Sequence, residues 1–519
     1  MVRSVDLLVK SLCLPFFSTL KDANCWHKYF FWHYRVARFH PRPPQSWRAM
    51  IRKLVNIWTN FRIQLRGGLL IAIIKSKVRL YMDQPSIGGT MRIPRNTYLQ
   101  QLIERRFNGL VKVLTGLRRS GKSYLLFNIY RDYLIEEGVE AENIIEVALD
   151  DDTYEDLRDP KQLSSYIRSR IVDQRQQYYV FLDEAQYAIT REEMRDRDRP
   201  IRLYGVLNGL LRLSNVDVYV TGSNSKFLSS DIMTEFRGRS DTIHVNPLSF
   251  TEFHAVAGLD TTEAYEEYAR FGGMPYLMSL KSDEQKTQYL GNLFTEVYFK
   301  DIIERHTIAR PLVLSQLTDT LCSSIGSLTN ANKLARSIAG SGGDTVSSET
   351  ISSYLGHLQD SFLFKEAKRY DVKGKRYFLY PSKYFCTDIG LRNARLSFRQ
   401  QDEGHIMENI IFNELIGRGY LVDVGVVETF SLGTEGKQQK KQLEVDFVIN
   451  KGPKKLYIQS SLSMESEEKK RQELRPLYTI KDNFKKIVIT KTHAKPWTDE
   501  MGILHVGLYQ FLLDRSLLM

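Results

Sequence analysis

From residue 98 onward, short apolar runs alternate with longer stretches in which apolar residues recur every three or four positions. Runs of five or six residues rich in Val, Ile, Leu and aromatic side chains read as strands buried on both faces, and the amphipathic stretches between them as crossover helices. The pattern predicts strands over 111–115, 144–149, 178–182, 216–220 and 242–245, with helices over 123–137 and 202–213 among the connections. Strands separated by helices make a parallel, helix-covered sheet, so the fold class is α/β.

The rhythm changes after Phe250. Residues 252–306 read as helical, interrupted by Phe271-Gly272-Gly273-Met274-Pro275, a tight turn. Between 314 and 380, three helical segments precede two strands, 364–370 and 376–380, joined by Val372-Lys373-Gly374-Lys375. Three helices and a hairpin predict a winged helix. Its third helix, near 350–359, is capped within Ser347-Ser348-Glu349-Thr350-Ile351. A second, smaller α/β unit follows, with a helix over 408–417, strands over 420–424, 444–450, 455–459 and 486–490, and a charged helix from Glu465. The polar insert 433–442 reads as an exposed hairpin loop. The expected domains are 91–250, 251–310 (a helical lid), 311–395 and 396–519, preceded by an extension over 1–90.

Composition changes the picture only at the front. The chain has 519 residues and a net charge of +12, which taken alone suggests nucleic acid. Residues 1–90, however, hold 15 of the 73 Lys and Arg against 3 of the 61 Asp and Glu, so the remainder carries 58 of each sign. The same segment has no Glu and four of the five Trp. A basic surface-binding arm, an acid-poor targeting presequence and translation from an upstream start all fit it. Ordinary patterning begins at Met91, which points to the last. Cys13, Cys25, Cys322 and Cys386 form no C-x-x-C pair, which fits a reducing cytoplasm. Apolar stretches such as 69–74 fall far short of the roughly 20 residues a spanning helix needs, so no membrane is expected.

The sharpest chemical signal is Gly116-Leu117-Arg118-Arg119-Ser120-Gly121-Lys122-Ser123, which satisfies G-x-x-x-x-G-K-S between a strand and a helix. In such a loop the glycines let backbone N–H groups face the β-phosphate of ATP, and the helix start adds its positive dipole end. Lys122 reaches the β and γ oxygens and Ser123 ligates Mg2+. Ser120 and Tyr124 complete the expected ATP contacts. The strand at 178–182 runs into Asp183-Glu184, placing Asp183 in the Mg2+ shell beside Ser123 and Glu184 as the base that polarises the attacking water.

A third strand ends in Thr221-Gly222-Ser223-Asn224-Ser225, where Asn224, with Thr221 and Ser223 as alternatives, can sense the γ-phosphate. The same run is also an ordinary turn. Arg239, closing Phe236-Arg237-Gly238-Arg239, can neutralise transition-state charge at its own or a neighbouring subunit's nucleotide, or stand solvated. The catalytic candidates are therefore Glu184, Asn224 and Arg239.

Together these residues resemble the bacterial and archaeal AAA+ ATPase-like proteins that carry a DUF4143 region. The resemblance spans about 91–519 and rests on the phosphate loop, Leu182-Asp183-Glu184-Ala185-Gln186, Thr221-Gly222-Ser223, Gly238-Arg239, Gly272-Gly273-Met274-Pro275, Lys300-Asp301-Ile302, Tyr384 to Leu391, Glu408-Asn409 and Glu444-Val445-Asp446-Phe447. It implies ATP binding and hydrolysis, a winged-helix middle and a C-terminal domain similar to restriction endonucleases, and no known substrate. A DNA or protein partner gripped through the winged helix and the C-terminal domain is a separate expectation. Such nucleases need a helix carboxylate, a strand Asp, and an acid or Gln two positions before a Lys. Glu408, Asp446 and Gln459 fill three places, but Ser461 stands where the lysine belongs, and Lys455 is one substitute from elsewhere. The expectation is a retained fold that holds a metal without cleaving DNA.

Overall fold

The computed structural model describes residues 93–518 apart from 191, 194–198, 223–237, 341–344, 375 and 433–437. Every residue of β1 (Val111–Thr115), β3 (Tyr178–Asp183) and β4 (Val216–Thr221) is buried, as a strand covered on both faces requires. With β2 (Ile144–Ala148) and β5 (Ser240–His244) they form a five-stranded sheet in the order β2-β3-β4-β1-β5. All neighbours run parallel.

Alternation sorts the side chains between two cores. Val111, Val113, Val180 and Leu182 join the layer holding helices Pro160–Arg170 and Arg202–Leu210, whereas Leu114, Tyr179 and Phe181 join that of Asn96–Glu104 and the helix after the phosphate loop. That last helix starts at Lys122–Tyr124, widens to i→i+5 winding over Leu125–Tyr130 and resumes as α over Arg131–Glu136.

The region after β5 is helical as expected, from Phe250–Ala257 to Lys300–His306, and breaks at Gly272 and Gly273. The three helices Pro311–Ser323, Ala331–Gly340 and Ser348–Asp360 and the hairpin of β6 (Phe364–Asp371) and β7 (Arg376–Cys386) are present.

The hairpin does not stand free as a wing. β6 pairs in parallel with β8 (Leu421–Leu432), matching Arg369 with Val424 and Asp371 with Val426. The hairpin therefore belongs to an eight-stranded mixed sheet, β12-β13-β11-β10-β9-β8-β6-β7, that runs through the expected boundary at 395/396. Its other members are β9 (Gln438–Lys451), β10 (Lys454–Ser461), β11 (Lys485–Thr490), β12 (Trp497–Thr498) and β13 (Leu504–Gly507). Helices Glu403–Gly417 and Leu508–Leu513 cover one face, and Glu467–Thr479 covers the other. The short β12 and β13 were not anticipated. Among the described residues no helix is long and apolar enough to cross a membrane.

Candidate functional site

The phosphate loop leaves β1 through Gly116 at φ 133°, where a Cβ would fall 2.2 Å from the Val245 carbonyl oxygen. Only glycine fits there. Arg119 (φ 64°) and Gly121 (φ 92°) are also left-handed, so the backbone curls around a hollow of N–H groups before the helix begins at Lys122. Ser120 is buried and its hydroxyl has no hydrogen-bond partner. Lys122 is buried too, its ammonium donating to the carbonyls of Gly116 (3.1 Å) and Leu117 (3.0 Å). Burial lowers its pKa against the pull of Glu184 and Asp183, and Arg118 adds to the lowering. Tyr124 is half exposed, on the rim.

Because β4 lies between β1 and β3, the ends of all three strands face the same hollow. Asp183, at the end of β3, is buried and takes hydrogen bonds from the hydroxyls of Ser123 and Thr221. Desolvation raises its pKa to about 6, aided by Glu184 and Asp150 and opposed by the two hydroxyls. Glu184 follows at φ 48°, a strained position for a residue with a side chain. Its N–H donates to Thr221 Oγ1 at 3.1 Å, and its carboxylate accepts from Gln186. Thr221 thus links the Asp183 carboxylate to the backbone of Glu184.

Of the remaining sequence candidates, Asn224 lies outside the described residues. Arg239 is exposed and immediately precedes β5, and its carbonyl accepts from Val111 N at 3.0 Å, at the start of β1. The phosphate loop leaves the other end of that strand, about 13 Å away at 3.3 Å per residue. That distance leaves a neighbouring subunit's nucleotide or a solvated side chain as the readings for Arg239.

The sequence reading missed three residues that hold the loop. Arg95 donates to Asn246 O (2.6 Å) and Ser120 O (3.5 Å) and pairs with Glu252 at 3.2 Å. Tyr298 donates its hydroxyl to Arg118 O at 2.6 Å. Asp301, inside the Lys-Asp-Ile motif quoted above, lies 3.6 Å from the Arg118 guanidinium. Nothing in local patterning marks Arg95 or Tyr298, since each acts on a residue distant in sequence.

In the C-terminal sheet, Glu408, Asp446, Gln459 and Ser461 are all buried within one region. The expected gap in charge is filled from an unexpected direction. Lys383, on β7, is buried and donates to Glu408 Oε1 (2.7 Å) and Glu444 Oε1 (2.8 Å). Its pKa is raised: the carboxylates of Glu408, Asp446 and Glu444 outweigh the opposing desolvation, which is the largest single influence. Burial and Glu408 push Asp446 up to about 7, while Lys383 and Ser460 oppose the shift. Ser460 donates to Asp446 through its N–H (2.8 Å) and hydroxyl (2.7 Å). Lys455, the substitute weighed from sequence, instead lies over Tyr370, 4.6 Å from the ring centre. Among the described residues no three His, Cys, Asp or Glu side chains converge as a metal centre.

The parallel sheet, its strand order and the loop at the end of β1 define a P-loop fold of the AAA+ class. Residues 108–254 match the AAA domain family model, 262–402 a domain of unknown function, DUF8612, and 403–509 another, DUF4143. An uncharacterized protein of Haemophilus influenzae is 32% identical over 420 residues, covering 80% of this chain and 97% of that protein. One of Methanocaldococcus jannaschii is 27% identical over 378 residues, covering 70% and 77%. Among solved structures, AMPPCP-bound DnaA from Aquifex aeolicus is 13% identical and covers 51% of this chain and 87% of its own, with a TM-score of 0.28. Cdc6p from Pyrobaculum aerophilum is 12% identical over 63% and 97%, with a TM-score of 0.26. The chain belongs to the family of AAA+ ATPase-like proteins that carry a DUF4143 region.

Proposed function

We propose that this chain is a Mg2+-dependent ATPase that couples its nucleotide state to a DNA or protein partner engaged beyond the P-loop domain. The observation that carries the reading is the meeting of Ser123 and Asp183, by a hydrogen bond between them, next to the buried Lys122. Mg2+ held here would take a hydroxyl and a carboxylate at one point, and Ser123 in the first turn of the helix and Asp183 at the end of β3 would supply them. Magnesium would neutralise charge on the phosphates. Lys122 then binds their oxygens, Ser120 offers a free hydroxyl, and Glu184 takes the proton of the attacking water. Asn224 serves as γ-phosphate sensor, and Arg239 acts, if the protein assembles, on a neighbour's nucleotide. The parts proposed for this coupling are 91–250, 251–310, 311–395 and 396–519, with the 364–386 hairpin working with the C-terminal sheet.

The test is calorimetry with Mg2+ and ATP on the full chain and on Lys122→Ala. Equal affinity in the two proteins removes the site assignment.

An ATP-coupled nuclease is a second reading, favoured by one observation: Lys383 supplies an ammonium where Ser461 cannot. Against it, that ammonium pairs with Glu408 and Glu444 and neutralises the carboxylates a metal would require. A binding role without DNA cleavage is the better reading, tested by incubating plasmid with the full chain and Mg2+ or Mn2+. Nicking that Asp446→Ala removes and Lys122→Ala leaves would reverse it.

A further inference from the structure

Several of the motifs quoted above have no role in the ATP site itself, yet the fold strings them into one line of contacts that starts on the phosphate loop. Leu117, the second residue of that loop, is fully buried, and its side chain packs in the core built by Phe271, Met274, Leu293 and Tyr298 rather than in either core of the five-stranded sheet. Arg118 is held through its carbonyl by Tyr298 and through its guanidinium by Asp301. A Cβ on Gly121 would lie 3.8 Å from Pro275, so the Gly272–Pro275 turn leans on the loop as well.

The other side of that turn is fixed by Asp388. Its Oδ2 accepts from Gly273 N at 2.7 Å and its Oδ1 from Leu391 N at 3.1 Å. The two backbones touch so closely that a Cβ on Gly390 would come 1.8 Å from Phe271 O, and one on Gly272 2.3 Å from Asp388 Oδ1. Asn393 adds donations to Ala269 O (3.0 Å) and Arg270 O (2.9 Å).

Asp388 stands two residues past the end of β7, the strand that carries Lys383. Asn409 grips the end of β7 in both directions, accepting from Cys386 N (2.8 Å) and donating to Cys386 O (2.7 Å), while its neighbour Glu408 accepts from Lys383. The contacts therefore run without a gap from phosphate loop to turn, from turn to Asp388, and along β7 to the buried carboxylates. Contiguous hydrogen-bonded and close-packed groups of this kind can carry free energy between distant sites.

We propose that Asp388 is a positioning residue for the nucleotide site: it holds the Gly272–Pro275 turn against the phosphate loop and so couples ATP binding to the Lys383–Glu408–Asp446 cluster. The proposal rests on the ATP-binding reading above. Replacing Asp388 by Asn conserves shape, but whichever way the amide turns, the N–H of Gly273 or of Leu391 meets a donor instead of an acceptor. Coupling is reciprocal, so a change at Lys383 must also be felt by ATP.

The experiment uses the full chain with Mg2+ and ATP, measuring calorimetric affinity, KM, kcat and melting for wild type, Asp388→Asn, Lys383→Met, their double variant and Tyr298→Phe. Asp388→Asn is expected to weaken ATP binding and raise KM on the order of tenfold with kcat at saturation retained. Lys383→Met shifts affinity in the same direction, and the double variant shifts it by less than the product of the two. Tyr298→Phe, which removes one hydroxyl, weakens binding even where Asp388→Asn does not fold. Variants that melt lower yet bind ATP as tightly as wild type make these residues merely structural and overturn the proposal. Absence of ATP binding by wild type sinks the nucleotide reading and the coupling together, whereas wild-type binding with unaltered variants sinks the coupling alone.

Discussion

Lys383 Nζ lies 2.7 Å from Glu408 Oε1, with both side chains more than nine-tenths buried, and joins a strand to a helix that sequence patterning places in different units. Removing one member of such a pair leaves an uncompensated charge out of water, whereas removing both leaves an apolar fit. Lys383→Met is expected to cost about 3–5 kcal/mol. Adding Glu408→Leu should restore part of it, because Glu444 still lacks its partner. Urea unfolding of the two variants checks the order; a double variant no more stable than the single one contradicts it.

Asp446 titrates near 7 in the folded chain, well above the ordinary carboxylate value near 4. The folded state therefore holds this proton more tightly than the unfolded state. Its contribution to stability is complete below about pH 4 and is lost as pH rises through about 7. Asp388, raised to about 6 by burial, acts with the same sign. Asp446→Asn should flatten the fall in melting temperature between about pH 4 and about 7, the window between the unfolded and folded values, and exceed wild type at the upper end. An unchanged slope would show that Asp446 is not the titrating group.

Asp183 must be charged to hold Mg2+, and burial sets its pKa at about 6. Metal and proton compete for the same oxygens. Mg2+-dependent ATP affinity is expected to fall about tenfold per pH unit below that value. In Asp183→Asn the Mg2+ dependence itself should vanish. Calorimetry across pH, with and without Mg2+, reads both effects.

Glu184→Gln keeps shape and hydrogen bonding but removes the base. ATP binding should persist while turnover falls by about 10²–10⁴. Phosphate release at saturating ATP measures it, and a fall of less than threefold would assign the base elsewhere (about 0.6 kcal/mol, too little for proton transfer).

Much of the ATP site was legible because its cause is local. A phosphate loop needs glycines, a lysine and a hydroxyl at fixed spacing, and strands buried on both faces declare themselves as unbroken apolar runs. For Arg239 the sequence left its own site, a neighbour's site and solvent open, because spacing does not say which end of a strand faces the hollow; the parallel pairing of β5 with β1 puts it at the end away from the phosphate loop. Lys383 escaped notice because a lysine within a strand ordinarily points to water, and the carboxylates it meets come 25 and 61 positions later, at Glu408 and Glu444. The hairpin at 364–386 carries the same local pattern whether it stands free or joins a sheet, and only its pairing with β8 distinguishes the two. Asn224 and the segment 1–90 lie outside the described residues.

The pairing of β6 with β8 also governs how the molecule can be cut. A fragment beginning at 396 would keep β8 but lose its neighbour, uncovering the N–H and C=O row that Arg369 to Asp371 now occupy. Leu421, 73% exposed, and Phe430, 68% exposed, already sit on that strand, so the bare edge would be apolar as well as unpaired. Such an edge recruits any strand it meets, including a copy of itself. The same cut would take Lys383 away from Glu408 and Asp446. Truncation at the boundary that sequence suggests would thus turn a closed domain into an aggregating one, and the hairpin acts as an intramolecular guard against self-association.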